Sequence, residues 1–246
     1  MTPEIPFRRN VVEPVACIKG GWEIIKNQYW LFVGMTLLAV IIGGAVPLGI
    51  LLGPMMCGLH LSFFKARRGE MVEFGTLFKG FDYFGPSLIA TLLYMVPIVA
   101  IIVPAYLLFY VSMFVGMAAQ GDEPNPAAIF GVMGVFGLVW LVIVIVIIII
   151  SVGFTFSYPL IVDRKLSGFD AVKLSFRAAL ANFWRLLAMI LLTGVMSMLG
   201  VLACYVGAFL VLPISYAAIA KAYEQVFGLA DGAEYSNLPP PPPVFN

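Results

Sequence analysis

Long apolar stretches divide this 246-residue chain, and they constrain its fold more than any other feature. They cover residues 29–64, 84–119, 126–162 and 183–220. A transmembrane helix needs about 20 apolar residues, so each stretch is long enough to cross a bilayer. The fourteen Lys and Arg residues cluster at the ends of these stretches, whereas the polar loop 120–126 carries only acidic charges. Because cations collect on the cytoplasmic side of membrane proteins, the pattern predicts an integral membrane protein with every cation on one side.

Composition excludes several other classes of protein. Only 11% of the residues are charged and 62% are apolar, against about 25% charged in soluble domains. A net charge of +1 argues against nucleic-acid binding. One His and three dispersed Cys match no metal-ligand spacing, and no catalytic motif is present. We therefore expect neither a cofactor nor an enzyme, and residues 1–10 contain no apolar core of a cleavable signal.

The fold predicted is all-α, with about six transmembrane helices and both termini cytoplasmic. The predicted spans are 30–46, 48–66, 86–118, 127–161, 184–204 and 207–224. The third and fourth exceed the membrane, because about 33 residues make a helix near 50 Å long. They must tilt, kink, project from the outer leaflet, or split to give eight spans in all. Six is favoured because no polar turn interrupts either block.

A parallel internal repeat is the second feature of the chain. Residues 14–30 align without gaps on residues 168–184, which places Lys19 on Lys173 and Trp30 on Trp184. The single membrane domain, 14–228, then comprises repeat A (14–66), middle helices (67–162) and repeat B (168–224), between a tail at 1–13 and a proline-rich cytoplasmic tail at 229–246. Because four spans separate the copies, both enter the membrane in the same direction.

Each copy begins with a predicted amphipathic helix in the cytoplasmic interface. The candidate interface anchors are aromatic: Trp22, Tyr29, Trp30, Phe183 and Trp184. The candidate lipid-headgroup contacts are cationic: Lys19, Lys26, Arg67, Arg68, Lys173, Arg177 and Arg185. A third interfacial stretch has apolar residues at helical spacing: Phe74, Leu77, Phe78, Phe81 and Phe84. These positions predict contact with anionic membrane lipids.

Three residues mark a candidate site at the membrane midplane. Pro54 and Pro213 interrupt the second span of each repeat, and such paired interruptions mark binding sites in transporters. The favoured interpretation is that both prolines tilt short helices so that the pair packs. No Asp, Glu, Arg or Lys lies between residues 31 and 64, 86 and 118, or 186 and 220, which argues against a coupled carrier. His60 is an ionisable group within a span. It lies five residues from Lys65, however, so it can reach the interface. A structural role is therefore the favoured interpretation of this histidine.

Other segments suggest partners. Gly49 and Gly53 form a GxxxG pattern, which permits close packing within the chain or in a homo-oligomer. The tail carries a polyproline segment that suits docking to an aromatic groove on a cytoplasmic partner, although disorder is the commoner meaning of such sequence. Its residues are Pro239, Pro240, Pro241, Pro242 and Pro243.

Three short segments resemble a group of uncharacterised bacterial polytopic membrane proteins, which is similar to the membrane domain of some glycerophosphodiester phosphodiesterases. The segments begin at Arg68-Gly69-Glu70, at Pro159 through Asp163, and at Leu212-Pro213-Ile214. The resemblance implies a six-helix membrane domain in a bacterial inner membrane and carries over no catalytic residue. We expect a non-enzymatic scaffold or accessory subunit that binds protein partners or anionic lipid. The alternative is a facilitator or lipid-handling transporter with its site between the two Pro-bearing hairpins.

Overall fold

Helices form all the regular structure in the part of the chain that the computed structural model describes, residues 5–118, 126–202 and 206–230. A 3₁₀ helix, Phe74–Tyr83, precedes the fourth α-helix. The α-helices are α1 (Pro14–Ile25), α2 (Tyr29–Ala45), α3 (Leu52–Arg67), α4 (Phe84–Ala118), α5 (Pro126–Phe154), α6 (Ser157–Arg164), α7 (Gly168–Ala181), α8 (Phe183–Leu202) and α9 (Val206–Phe227). The all-α prediction is confirmed for these residues.

Four segments of the described chain are long and apolar enough to cross a membrane. They are Pro14–Ala45, Phe74–Gly116, Met133–Arg164 and Phe183–Leu202. The remaining two predicted spans correspond to α3 and α9, which are not among the four. With 16 residues, α3 is about 24 Å long, shorter than a bilayer core.

The two longest predicted spans behave differently. The first is one continuous helix, α4, although it contains Pro97 and Pro104. The second is broken after Phe154, so that α6 starts at Ser157. Ser175 of α7 satisfies the backbone at this break: its hydroxyl donates to the Gly153 carbonyl (2.6 Å) and accepts from the Phe156 amide (3.0 Å).

The described chain forms two compact units, one of residues up to Leu92 and from Val152 onward, the other Leu93–Ser151. In the smaller unit, aromatic side chains join α4 to α5. The ring centroids of Phe109 and Phe136 are 3.9 Å apart. Packing of this kind lets the two helices pair without polar contacts.

The larger unit is built around α3, which is buried along most of its length. Phe63 of α3 stacks on Phe32 of α2, with ring centroids 5.2 Å apart. On another side, the 3₁₀ helix approaches so closely that a Cβ atom at Gly58 would overlap the Leu77 carbonyl oxygen. Glycine at this position therefore permits backbone-to-backbone packing.

The helix α1 packs along α9. Gly21 permits this contact, since a Cβ atom there would lie 2.6 Å from the Ala218 nitrogen. The Cys17 thiol donates to the Gln225 side chain at 3.2 Å. The apolar residues of α1 that face inward, such as Ile25, are therefore buried by protein.

The two segments proposed as repeats have the same order of helices, α1–α2–α3 and α7–α8–α9. Their neighbours differ, because α1 packs mainly on α9, whereas α7 packs on α6 and α8. The third predicted interfacial stretch forms the 3₁₀ helix. Its three residues per turn align Leu77 and Gly80 on the side that α3 buries and leave Phe78 and Phe81 exposed.

Candidate functional site

The outer face of α7 combines cations with large apolar side chains. Lys173 and Arg177, one turn apart, are exposed, and no ion pair joins either of them to a carboxylate within the described chain. On the same face Phe169 is 61% exposed and Leu180 55% exposed. The opposite face carries small buried residues: Ala171, Ser175, Ala178 and Ala179. An outward face of this composition suits the boundary between headgroups and acyl chains.

The N-terminus of α7 is fixed by its own capping residue. The Ser167 hydroxyl accepts from the Asp170 backbone amide at 3.2 Å and lies 2.7 Å from the Asp170 carboxylate. An N-cap serine satisfies a free helix amide, and an acidic residue in the first turn complements the helix dipole. The cap therefore sets which residues of α7 face outward.

The corresponding face of α1 is less cationic. Val15 (56% exposed), Lys19 and Trp22 (42% exposed) point outward, in the places that the alignment pairs with Phe169, Lys173 and Phe176. Lys26, however, forms an ion pair with Glu23, and Glu23 is the residue that aligns with Arg177. The two aligned faces are therefore similar, but they carry opposite charges at one aligned position, Glu23 in α1 and Arg177 in α7.

The predicted aromatic anchors lie at or near two junctions between helices, here called elbows: α1 to α2 and α7 to α8. Tyr29 and Trp30 begin α2, Phe183 and Trp184 begin α8, and Trp22 lies in the last turn of α1. Trp30 and Trp184 are the most exposed, at 74% and 78%. Phe183 packs edge-on against Trp184, and Trp22 against Tyr29. The Tyr29 hydroxyl donates to the Leu210 carbonyl at 2.8 Å, so this residue ties α2 to α9.

Two of the predicted headgroup contacts are held by internal carboxylates. The Arg67 guanidinium donates to both carboxylate oxygens of Glu224, at 3.1 and 2.9 Å. Arg68 donates to Glu70 at 2.7 Å. A third, Arg185, is exposed and donates to the Val12 carbonyl at 3.3 Å. Among the predicted headgroup contacts, Lys19 of α1 and the α7 cations Lys173 and Arg177 are therefore exposed and in no ion pair within the described chain, and the α7 pair lies one turn apart on one face.

A polar network at the ends of α3, α6 and α9 is not predicted from the sequence. Glu224 takes hydrogen bonds from Arg67 and, at 2.9 Å, from Lys221. Nearby, the Tyr223 hydroxyl donates to Asp163 at 2.6 Å. Apart from Lys221 and Glu224, which are three residues apart on α9, the partners lie far apart in sequence, and no local pattern indicates them.

The midplane candidates do not form a symmetric pair. Pro54 is the third residue of α3, where the absence of an amide proton costs little. Pro213 is interior to α9, where proline removes a helical hydrogen bond. His60 is 2% exposed, and its Nδ1 lies 2.9 Å from the Met56 carbonyl oxygen. His60 is thus a core residue of the larger unit and lies away from the surface.

The polyproline segment lies outside the described residues. Within the described residues no group of three or more His, Cys, Asp or Glu side chains is placed to hold a metal ion. The chain matches no protein-family model, no curated protein and no solved structure.

Proposed function

We propose that this protein is a non-enzymatic scaffold or accessory subunit of a bacterial inner membrane, and that it binds anionic lipid through α7. The observation that carries the proposal is the outer face of α7, where exposed Lys173 and Arg177 lie between exposed Phe169 and Leu180. Each cation near an anionic membrane surface contributes about 1 kcal/mol. Trp184, beside this face, supplies an aromatic anchor.

Quenching of Trp184 fluorescence by brominated lipids tests lipid selectivity. The other three tryptophans are replaced (Trp22→Phe, Trp30→Phe, Trp140→Phe), so that the signal comes only from Trp184, the second residue of α8 and four residues after Leu180 of α7. Brominated phosphatidylglycerol should quench more strongly than brominated phosphatidylcholine at the same mole fraction. Lys173→Gln and Arg177→Gln should each lower this preference about fivefold.

Lys79→Gln is the matched control, because this exposed lysine lies on the 3₁₀ helix, which packs on α3. It removes the same charge and should leave the Trp184 preference unchanged. Equal quenching by the two lipids in the parent protein would refute lipid selection by α7. Transport of a solute by the purified protein in liposomes would refute the scaffold in favour of the facilitator alternative.

We propose the membrane topology of six spans, with α3 and α9 crossing as packed partners of α2 and α8. Burial supports this for α3, since a helix surrounded by others needs no long lipid-facing surface. In intact cells, a thiol reagent that does not cross membranes should label Asp122→Cys, whereas Lys79→Cys and Lys173→Cys should react only after permeabilisation. Labelling of all three in intact cells would contradict this topology.

The resemblance to membrane domains of glycerophosphodiester phosphodiesterases remains a proposal about fold. Two of the segments that carry it are in contact within this fold, since the Tyr223 hydroxyl in one donates to the Asp163 carboxylate in another. A protein partner is proposed for the polyproline segment. Truncation after Ala230 should abolish co-purification of a stoichiometric partner in lipid nanodiscs, and unchanged recovery of that partner would exclude the tail as the docking segment.

A further inference from the structure

We propose that α2, α3 and α6 enclose a binding site for a small, neutral, hydroxyl-bearing molecule. Besides Arg164 Nε, which is ion-paired with Asp163 at 3.0 Å, three polar atoms of the larger unit are buried and have no hydrogen-bond partner within the described chain: Thr36 Oγ1, His60 Nε2 and Ser157 Oγ. Their residues are between 0% and 2% exposed. Buried polar atoms are nearly always hydrogen-bonded, so three unpartnered ones in one unit indicate a ligand.

Thr36 and His60 lie at the same level of the α2–α3 hairpin. The two helices run in opposite directions, and Phe32 of α2 stacks on Phe63 of α3. One helical turn from Phe32 toward the hairpin connection leads to Thr36, and one turn from Phe63 in that same direction leads to His60. Because residues one turn apart share a helix face, both polar groups are directed toward the α2–α3 contact region.

Contacts made by the residues on either side of Ser157 show where α6 lies along α3. On one side of it in the chain, the Tyr158 hydroxyl lies 3.0 Å from Thr91 Oγ1, a hydroxyl that lies against Gly53. On the other side, Phe156 contacts Tyr223, which in turn contacts Phe64. The first part of α6, which contains Ser157, therefore packs along the stretch of α3 between Gly53 and Phe64, the stretch that carries His60.

The chemistry of the three groups defines the ligand. The Met56 carbonyl accepts only, so the proton of the His60 ring is on Nδ1 and Nε2 is an acceptor. The hydroxyls of Thr36 and Ser157 both donate and accept. No charged residue lies between 31 and 64, and the two charged residues of α6, Asp163 and Arg164, pair with each other, so a charged ligand would be buried without a free counter-ion. A neutral molecule that donates to His60 and bonds the two hydroxyls satisfies all three atoms.

The chain contains one histidine, so isotope-labelled histidine gives a nuclear magnetic resonance spectrum of His60 alone. Ethylene glycol serves as the probe, with the protein in lipid nanodiscs. The Nε2 resonance should be that of an unprotonated nitrogen and should move upfield along a saturable curve as the probe is added. A protonated Nε2, an unchanged resonance, or a change that stays linear with concentration would each overturn the proposal.

Variants identify the other two contacts. Thr36→Val and Ser157→Ala should each raise the probe concentration at half-saturation about fivefold, the effect of one lost hydrogen bond. Ser62→Ala is the matched control, because this buried α3 hydroxyl already donates to the Gly58 carbonyl at 2.8 Å. Equal effects of all three variants would overturn the assignment. Lipid composition does not enter this readout, so its failure is separable from that of lipid binding by α7.

Discussion

Gln28 and Asn182, which the repeat alignment pairs, each hold a distant backbone segment with both ends of the side-chain amide. Gln28 donates to the Val72 carbonyl at 3.0 Å and accepts from the Val72 amide at 3.1 Å. Asn182 donates to the Arg8 carbonyl at 3.0 Å and accepts from the Val11 amide at 3.1 Å. Each residue directly precedes an aromatic pair at an elbow between two helices. This shared role gives a physical reason for an amide at both positions.

Loss of either amide should release the segment that it holds. In Gln28→Ala, hydrogen exchange at the Val72 amide should accelerate, and in Asn182→Ala the same should occur at Val11. We expect a loss of about 1–2 kcal/mol in either case, because a net hydrogen bond contributes about 1 kcal/mol. Hydrogen exchange resolved by residue measures both effects. Asn27→Ala, a change at the exposed neighbour of Gln28, should leave Val72 protected, and equal acceleration there would contradict the clamp.

Removal of the Ser175 hydroxyl should destabilise the break between α5 and α6. Ser175→Ala leaves the Gly153 carbonyl and the Phe156 amide without this partner, and an unsatisfied buried group costs about 1–3 kcal/mol. We expect a lower midpoint of thermal unfolding in nanodiscs. Ser215→Ala is the control, because that hydroxyl only bonds back to Val211 in its own helix. Equal midpoints for the two variants would show that the hydroxyl of Ser175 is dispensable.

The sequence predicts helices well where the signal is local. The apolar block that predicts a span at 86–118 corresponds to α4, and the elbows at Trp30 and Trp184 lie where the apolar periodicity changes. Such periodicity depends only on neighbours along the chain. It does not show whether lipid or protein contacts an apolar helix face. The packing of α1 on α9 therefore could not be predicted, and neither could the burial of Gly21 against Ala218.

In the candidate site, too, the features that depend on local spacing could be predicted, and those that depend on how the helices pack could not. The exposed cations Lys173 and Arg177 follow from helical spacing, since the spacing defines which residues share a face. The pairing of Arg67 with Glu224 joins two residues 157 positions apart, and it depends on how α3 meets α9. The spacing of the phenylalanines around Leu77 fits an α-helix as well as a 3₁₀ helix. Leu77 and Gly80, three residues apart, both lie against α3, and a helix with three residues per turn places both on that side.

Loss of the Glu224 carboxylate should weaken the network around it. This carboxylate accepts hydrogen bonds from Arg67 and Lys221, and Glu224→Gln removes the negative charge of the acceptor. The variant should lower stability at pH 7 by about 1–2 kcal/mol, seen as a lower midpoint of thermal unfolding in nanodiscs. Equal midpoints for the variant and the parent protein would show that the charge of Glu224 does not stabilise the fold.

A methyl group at Gly58 should separate the 3₁₀ helix from α3. The Cβ atom of Gly58→Ala would overlap the Leu77 carbonyl, which is backbone and cannot move aside as a side chain does. Overpacking of this kind costs about 1–3 kcal/mol. Gly44→Ala is the control, since a Cβ atom there meets nothing within 4 Å and alanine favours a helix. Thermal unfolding should show a loss for the first variant and none for the second. If Gly58→Ala is as stable as Gly44→Ala, the two backbones do not pack in contact.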